Sequence, residues 1–101
     1  MKRKKANSII QIDNKYVRVT KYAFQPNQET RMHKHIYNYI VTPLTDGELL
    51  LIDKEGNETN YNLISSKSYF RKAGVEHNVI NNGTKKLVFI ETELKKINSE
   101  D

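Results

Sequence analysis

Two histidines separated by a single residue, His33 and His35, are the first candidates for chemistry in this sequence. The residues around them have an extended pattern, and side chains two positions apart on a strand leave it on the same face, roughly 6.5–7 Å apart at Cα. Imidazole rings at that spacing can reach one metal ion at about 2.0–2.1 Å. Such a pair is weak evidence alone, because histidine is also common on half-exposed surfaces. The last histidine, His77, begins another predicted strand after a tight turn at Gly74.

The composition narrows the chemistry that such a site can use. The chain contains no cysteine, which excludes disulfides, thiolate nucleophiles and cysteine-ligated zinc. Any metal would therefore be bound by histidine, carboxylate, tyrosine or water.

Short strands must position these histidines. From Ser8 onward, segments rich in β-branched and aromatic residues alternate with turn residues, and no segment keeps a helical period. Strands are predicted over Ile9–Ile12, Tyr16–Phe24, Thr30–His35, Tyr39–Leu44, Glu48–Asp53, Glu58–Leu63, Ser68–Arg71, His77–Asn81 and Lys86–Glu93. The Asn82-Gly83 pair predicts a type I′ hairpin between the last two strands. This pattern favours one all-β domain, either a closed barrel or a two-sheet sandwich.

The positive charge is concentrated at the N-terminus. The formal net charge is +5, and the basic residues at positions 2–5 supply four of these charges. We predict a basic disordered tail over residues 1–7, a β-barrel over residues 8–96 and a short C-terminal tail over residues 97–101. A solvated tail is favoured over an arm that binds nucleic acid, so no nucleic-acid partner is expected. The sequence has neither an apolar leader nor an apolar run of the roughly 20 residues that cross a bilayer, so we expect a cytoplasmic protein without a membrane partner.

The motifs around the histidines resemble those of the cupin superfamily. The first cupin motif contains Gly, then His-x-His, then Glu and a closing Gly, and the second contains Gly, Pro-x-Gly, His and Asn. Six residues match these motifs: His33, His35 and Gly47 in the first, with one extra residue before the glycine, and Gly74, His77 and Asn81 in the second. The motifs and their strands cover the chain from about Tyr16 to Leu94.

This resemblance implies a double-stranded β-helix, the jelly-roll barrel of RmlC-like cupins, and assembly as a homodimer. It also implies a divalent metal ion (Fe, Zn, Ni or Mn) on His33, His35 and His77. The implied activity is that of a metal-dependent enzyme acting on a small organic acid or similar metabolite, of dioxygenase, isomerase or lyase type. The alternative is a non-catalytic cupin that binds or senses a small molecule, with or without metal, because fold does not choose the chemistry.

The sequence departs from the cupin pattern at the metal itself. The family's glutamate ligand, four residues after the second histidine, is replaced by Tyr39. A three-histidine centre, as in the cysteine dioxygenase branch of the cupins, is the leading interpretation. Alternatively, Tyr39 is a ligand or an acid-base group, since a metal ion would lower its pKa from about 10. The third interpretation is that Tyr39 only fills the barrel and the metal has been lost. We predict Tyr39 as the catalytic residue.

Three further departures lie at turns. Asn27 and Ser66 stand where the two motifs open with glycine, and Lys72 stands in place of the proline.

The alternation of side chains along the predicted strands indicates further candidates for substrate binding. Arg31 shares a predicted strand face with His33 and His35, so we predict that it holds an anionic group of the substrate. On the last strand, Leu87, Phe89, Glu91 and Glu93 share one face, and Glu93 is the substrate-binding candidate. The alternative is that Val88, Ile90 and Leu94 face inward, which would leave both glutamates in solvent.

Overall fold

Strands account for all the regular secondary structure in residues 2–95, which are the residues that the computed structural model describes. In chain order the strands are β1 (Asn7–Asp13), β2 (Val17–Phe24), β3 (His33–Lys34), β4 (Asn38–Pro43), β5 (Gly47–Asp53), β6 (Glu58–Leu63), β7 (Tyr69–Arg71), β8 (Glu76–Asn81) and β9 (Leu87–Leu94). The prediction of an all-β fold is confirmed. Within this range, no helix is long and apolar enough to span a membrane.

The strands form two antiparallel sheets. One has five strands in the order β1-β2-β9-β4-β7, and the other has four in the order β3-β8-β5-β6. Five of the seven pairs of neighbouring strands are not consecutive in the chain, as in the pairing of β2 with β9 across the full length of both strands. This crossing from sheet to sheet is the arrangement of a jelly-roll barrel.

The core lies between the sheets because residues two positions apart on each strand point the same way. On β9, Leu87, Phe89 and Glu91 are buried, whereas Val88 and Ile90 are only partly buried. Leu49 of β5 and Val79 of β8 belong to the same buried cluster as Leu87 and Phe89, although they come from the other sheet. The inward face of β9 therefore carries two apolar residues and then a glutamate.

The turn between β8 and β9 corrects the hairpin prediction. These strands lie in different sheets, and neither Asn82 nor Gly83 has the positive φ that a type I′ turn requires. The buried side chain of Asn81 holds this turn instead. Its Nδ2 donates to the carbonyl oxygens of Phe24 (3.1 Å) and Lys85 (2.9 Å), and its Oδ1 accepts from the N–H of Gly83 (2.9 Å).

The N-terminal segment also differs from the prediction, which placed a disordered tail up to residue 7. The N–H of Ala6 donates to the carbonyl of Glu29 (2.7 Å), and the N–H of Glu29 donates to the carbonyl of Lys4 (3.0 Å). Ala6 joins the buried core. This segment is ordered because its backbone finds partners and its small side chain fits the barrel. The predicted C-terminal tail, residues 97–101, lies outside the described residues.

Two turns have the left-handed backbone of the cupin motifs although another residue replaces the motif glycine. Asn27 and Ser66 both adopt positive φ, at 68° and 72°. These positions therefore keep the left-handed backbone that glycine adopts most easily. The glycine that does match the first motif, Gly47, is required for space, since a Cβ there would lie 2.6 Å from Cδ1 of the fully buried Leu87.

Candidate metal centre

Pairing between β3 and β8 brings distant histidines together. His33 is the direct partner of His77 in this ladder. His35 follows the end of β3, where its N–H donates to the carbonyl of Val75 and its carbonyl accepts from the N–H of Gly74, both at 2.8 Å. The turn at Gly74, with φ of 102°, therefore holds the segment that carries His35.

The three imidazole rings converge on one point. One ligand nitrogen from each of His33, His35 and His77 lies within 4.8 Å of the others. The Nε2 atoms of His33 and His35 are 2.9 Å apart. Two ligands that bind one ion at right angles, each at about 2.1 Å, are about 3.0 Å apart, so these two nitrogens already have the spacing of neighbouring metal ligands.

The backbone fixes which nitrogen of His33 is free. Its Nδ1 lies 2.8 Å from the carbonyl oxygen of Arg31, to which it can only donate. The proton is thereby held on Nδ1, and the lone pair is left on Nε2. This is the outer hydrogen bond by which metal-binding histidines are usually oriented.

His77 supplies the test of whether the site fits a metal. Its Nε2 is buried and has no hydrogen-bond partner, and it is the one such side-chain atom among residues 2–95. Burial, followed by the neighbouring His33, lowers the pKa of His77 to about 4 and that of His35 to about 3. Both rings are therefore neutral at pH 7, with lone pairs available. A buried nitrogen without a partner costs free energy that a metal ion would offset, so the donor set fits a divalent metal.

Tyr39 lies against this centre. It is 2% exposed, and its ring stacks on His35 with the centroids 4.0 Å apart and the planes at 21°. Burial, and next the charge of Glu91, raises the pKa of Tyr39 to about 12. In the protein without metal, its phenol therefore keeps its proton at neutral pH.

The inward-facing interpretation of the last strand is confirmed. Glu91 is 6% exposed, and its Oε1 lies 3.8 Å from Nδ1 of His35. Burial, and next the charge of Glu93, raises the pKa of Glu91 to about 8. Glu93 is largely buried too, and Arg18 Nη1 lies 4.0 Å from its Oε1.

Arg31 lies elsewhere than the prediction placed it. Its side chain is 53% exposed and faces Glu29, with 3.8 Å between Nε and Oε2. The predicted strand Thr30–His35 contains only two strand residues, and Arg31 has φ of 75°, so alternation does not extend from His33 back to Arg31. Its contribution to the site is the carbonyl that orients His33.

Two cavities meet at Glu91. The larger, about 290 Å³, opens beside His33, His35 and Glu93 and is rimmed by the basic residues Lys5, Arg18 and Lys34. The smaller, about 20 Å³, lies among residues that include Tyr39, Arg71 and His77.

Two arginines that lie beside the site, Arg71 and Arg18, were not predicted from the sequence. Arg71 pairs directly with Tyr39 across β4 and β7, and its guanidinium lies 4.8 Å from the ring centroid of Tyr69. Arg18 pairs with Glu93 across β2 and β9. Alternation along β2 and β7 was the available signal, but it needed the strand order, which the sequence does not show.

No family model matches this sequence. It is similar to the beta-alanine degradation protein BauB of Pseudomonas aeruginosa, with 50% identity over 93 residues that cover 92% of this chain and 97% of the relative. Among solved structures, a cupin domain from Bordetella pertussis superposes with a TM-score of 0.90 at 46% identity, covering 95% of this chain and 99% of the other. An RmlC-like cupin from Methanocaldococcus jannaschii has a TM-score of 0.71 at 13% identity, covering 91% and 82%, and shows the double-stranded β-helix fold alone. The sequence motifs, the two-sheet barrel and these similarities agree: this chain belongs to the cupin superfamily.

Proposed function

We propose that this protein is a metal-dependent enzyme that binds one divalent ion through His33, His35 and His77 and acts on a small carboxylic acid. One observation carries the metal: three imidazoles converge, and the buried Nε2 of His77 has no partner among residues 2–95. Imidazole suits several ions, so Fe, Zn, Ni and Mn are all candidates, with iron and zinc the first to test. When bound, the ion would supply Lewis-acid or oxygen chemistry at the positions that the histidines leave free.

The side chains around the histidines have distinct tasks in this proposal. The carbonyl of Arg31 keeps the proton of His33 on Nδ1, so Nε2 stays available. Tyr39 holds a proton on its phenol oxygen and is the proposed proton donor. Its ring also covers one face of His35 and excludes water from it.

The larger cavity supports a small anionic substrate. Its rim carries Lys5, Arg18 and Lys34, which attract a carboxylate. Its volume of about 290 Å³ suits a metabolite of a few carbon atoms. The name of the Pseudomonas relative, a beta-alanine degradation protein, supports a three-carbon acid of this kind. Glu93 lines this cavity and remains the substrate-binding candidate, whereas Arg18 is better placed than Arg31 to meet an anion.

A non-catalytic binding protein is the second candidate. It is favoured by Tyr39, which occupies the position of the cupin glutamate ligand and is packed into the core. A binding protein would show saturable ligand binding without any product.

Elemental analysis tests the metal first. The full chain is purified without an affinity tag or chelator and compared with His33→Ala, His77→Ala and the control Glu58→Gln on exposed β6. About one equivalent of metal in the wild type and the control, lost in both histidine variants, supports the proposal. An absence of metal in the wild type, even after reconstitution, overturns it. Turnover is then screened with small carboxylic acids, and a substrate consumed by the wild type but not by His77→Ala supports an enzyme over a binding protein.

Assembly and location are also proposals. A homodimer is supported by β1, which forms an edge of the five-stranded sheet and leaves Ile9, Ile10 and Ile12 exposed. Light scattering of the purified protein would test this. A cytoplasmic location, and the expectation of neither a nucleic-acid nor a membrane partner, remain predictions.

A further inference from the structure

Two carboxyl groups beside the histidines have no role in the metal centre. Glu91 and Glu93 are two positions apart on β9, and both line the larger cavity. Oxygens of both carboxyl groups and one nitrogen of His35 lie within 4.8 Å of one another. We propose that Glu91 and Glu93 bind a primary ammonium group of the substrate, which makes the substrate a small amino acid. This inference rests on the proposed function and names the class of acid that the site accepts.

Within the described part of the chain, Glu91 is the member of the pair that has no lysine or arginine beside it, whereas Glu93 faces Arg18. The side chain of Glu91 is 8% exposed, and the one basic side-chain atom within 4.0 Å of its carboxyl among residues 2–95 is Nδ1 of His35, at 3.8 Å. That distance is too long for a hydrogen bond, so no basic side chain among the described residues donates to this carboxyl. A buried carboxyl is costly unless a cation or hydrogen-bond donors satisfy it. A donor group from the ligand would fill this place.

The polar groups of the cavity are arranged by charge. The outer rim carries Lys5 and Lys34, which are exposed, and the deeper wall carries Glu91 and Glu93 beside the histidines. A molecule with a carboxylate and an ammonium group a few bonds apart presents the complementary pattern. The rim meets its negative end, and the carboxyl pair meets its positive end.

An ammonium group fits the carboxyl pair better than a second metal ion does. It carries three N–H donors, enough to reach both side chains at once through charge-assisted hydrogen bonds. A second metal on the same cluster would need Nδ1 of His35, which faces Glu91. Since Nε2 of the same ring faces His33 at 2.9 Å, the ring would have to lose its proton and bridge two ions as an imidazolate. The second metal would also lie near Arg18, which approaches Glu93 to 4.0 Å.

The test compares ligands that differ only in the amine. Binding of β-alanine, 3-hydroxypropanoate and propanoate to the full chain is measured by calorimetry at pH 7, with and without metal. We expect β-alanine to bind at least about tenfold more tightly than propanoate, the size of one charge-assisted hydrogen bond. In Glu93→Gln and Glu91→Gln this ratio should fall toward one, while propanoate affinity stays within about twofold. Glu58→Gln on β6 serves as the control and should keep the full ratio.

Each outcome decides the inference. Equal binding of β-alanine and propanoate to the wild type, or no binding of β-alanine, overturns it even if one metal equivalent is present. A second metal equivalent that disappears in Glu93→Gln also overturns it and assigns the pair to a metal. If Glu91→Gln fails to fold, Glu93→Gln gives the same comparison at a less buried position. Failure of the proposed function is distinguished from failure of this inference by elemental analysis, because it would appear as absence of metal from the three histidines.

Discussion

The imidazole of His35 and the phenol ring of Tyr39 are stacked nearly parallel, with 4.0 Å between their centroids. The residue that replaces the cupin glutamate thus contacts a proposed metal ligand through its ring face. Its hydroxyl and its ring can therefore be tested separately.

Tyr39→Phe should keep the ring and remove only the hydroxyl. We expect unchanged metal content and a free energy of unfolding within about 1 kcal/mol of the wild type, with strongly reduced turnover of any substrate identified. Tyr39→Ala should lower the free energy of unfolding by about 3–5 kcal/mol, because it empties a buried site. Elemental analysis, denaturant unfolding and turnover assays measure the three effects. Turnover by Tyr39→Phe at the wild-type rate would remove Tyr39 from the mechanism.

His77→Leu should have opposite effects with and without metal. With a chelator added to remove metal, we expect the free energy of unfolding to rise by about 1–3 kcal/mol, since the variant removes a buried nitrogen that has no partner among residues 2–95. With metal present, the variant should lose the stabilisation that the wild type gains. His33→Leu is the matched control, and it should lower stability in chelator because Nδ1 of His33 donates to the Arg31 carbonyl. A less stable His77→Leu in chelator would contradict our account of this nitrogen.

Ser66→Gly should stabilise the turn between β6 and β7. Ser66 adopts φ of 72°, which costs a residue other than glycine about 1–2 kcal/mol. Allowing for the greater chain entropy of glycine, we expect a gain of about 0.5–1 kcal/mol and a rise in Tm of about 2–8 °C. The neighbouring Lys67→Gly, at a position without positive φ, should lower Tm. Scanning calorimetry of both variants checks this, and a fall in Tm for Ser66→Gly would refute it.

Asp53 should make the turn between β5 and β6 sensitive to acid. Its carboxylate accepts from the N–H groups of Glu55 and Asn57, both at 2.9 Å, and the bonds from Asn57 contribute most to holding its pKa below 3.8. A lowered pKa means stability that is present above pH 3.8 and lost as pH falls through the folded-state value. Asp53→Asn should therefore lower Tm at pH 7 but converge with the wild type near pH 2. Glu55→Gln, whose side chain takes no part in these bonds, should keep the wild-type profile.

The sequence predicted the strands well, apart from the length of β3, and it predicted a hairpin at Asn82-Gly83 that the structure does not contain. Alternating apolar residues located all nine strands in order, and Leu87, Phe89 and Glu91 face inward as one of the two interpretations required. The exception is β3, where positive φ at Arg31 breaks the alternation that had carried this residue into the site. Alternation fixes which residues share a face only while the backbone stays extended.

The sequence motifs predicted the three histidines of the site but not the arginines beside it. His33, His35 and His77 converge, because each lies in a motif that the family resemblance placed near the metal. Arg18 and Arg71 lie beside the cavities because their strands pair, within the five-stranded sheet, with the strands of Glu93 and Tyr39. Strand order cannot be obtained from the residues of one strand.

The shortness of β3 has a consequence for how the protein unfolds. Only two residue pairs join β3 to β8, so the segment that carries His33 has a very small share of the sheet ladder. A metal bound by both His33 and His77 would cross-link β3 to β8 and so close the long loop of chain between them. The N–H groups of His35 and Gly74 donate hydrogen bonds between the His35 segment and the turn before β8. Their amide hydrogen exchange would then slow markedly on metal loading, while exchange in the β2–β9 ladder would change little.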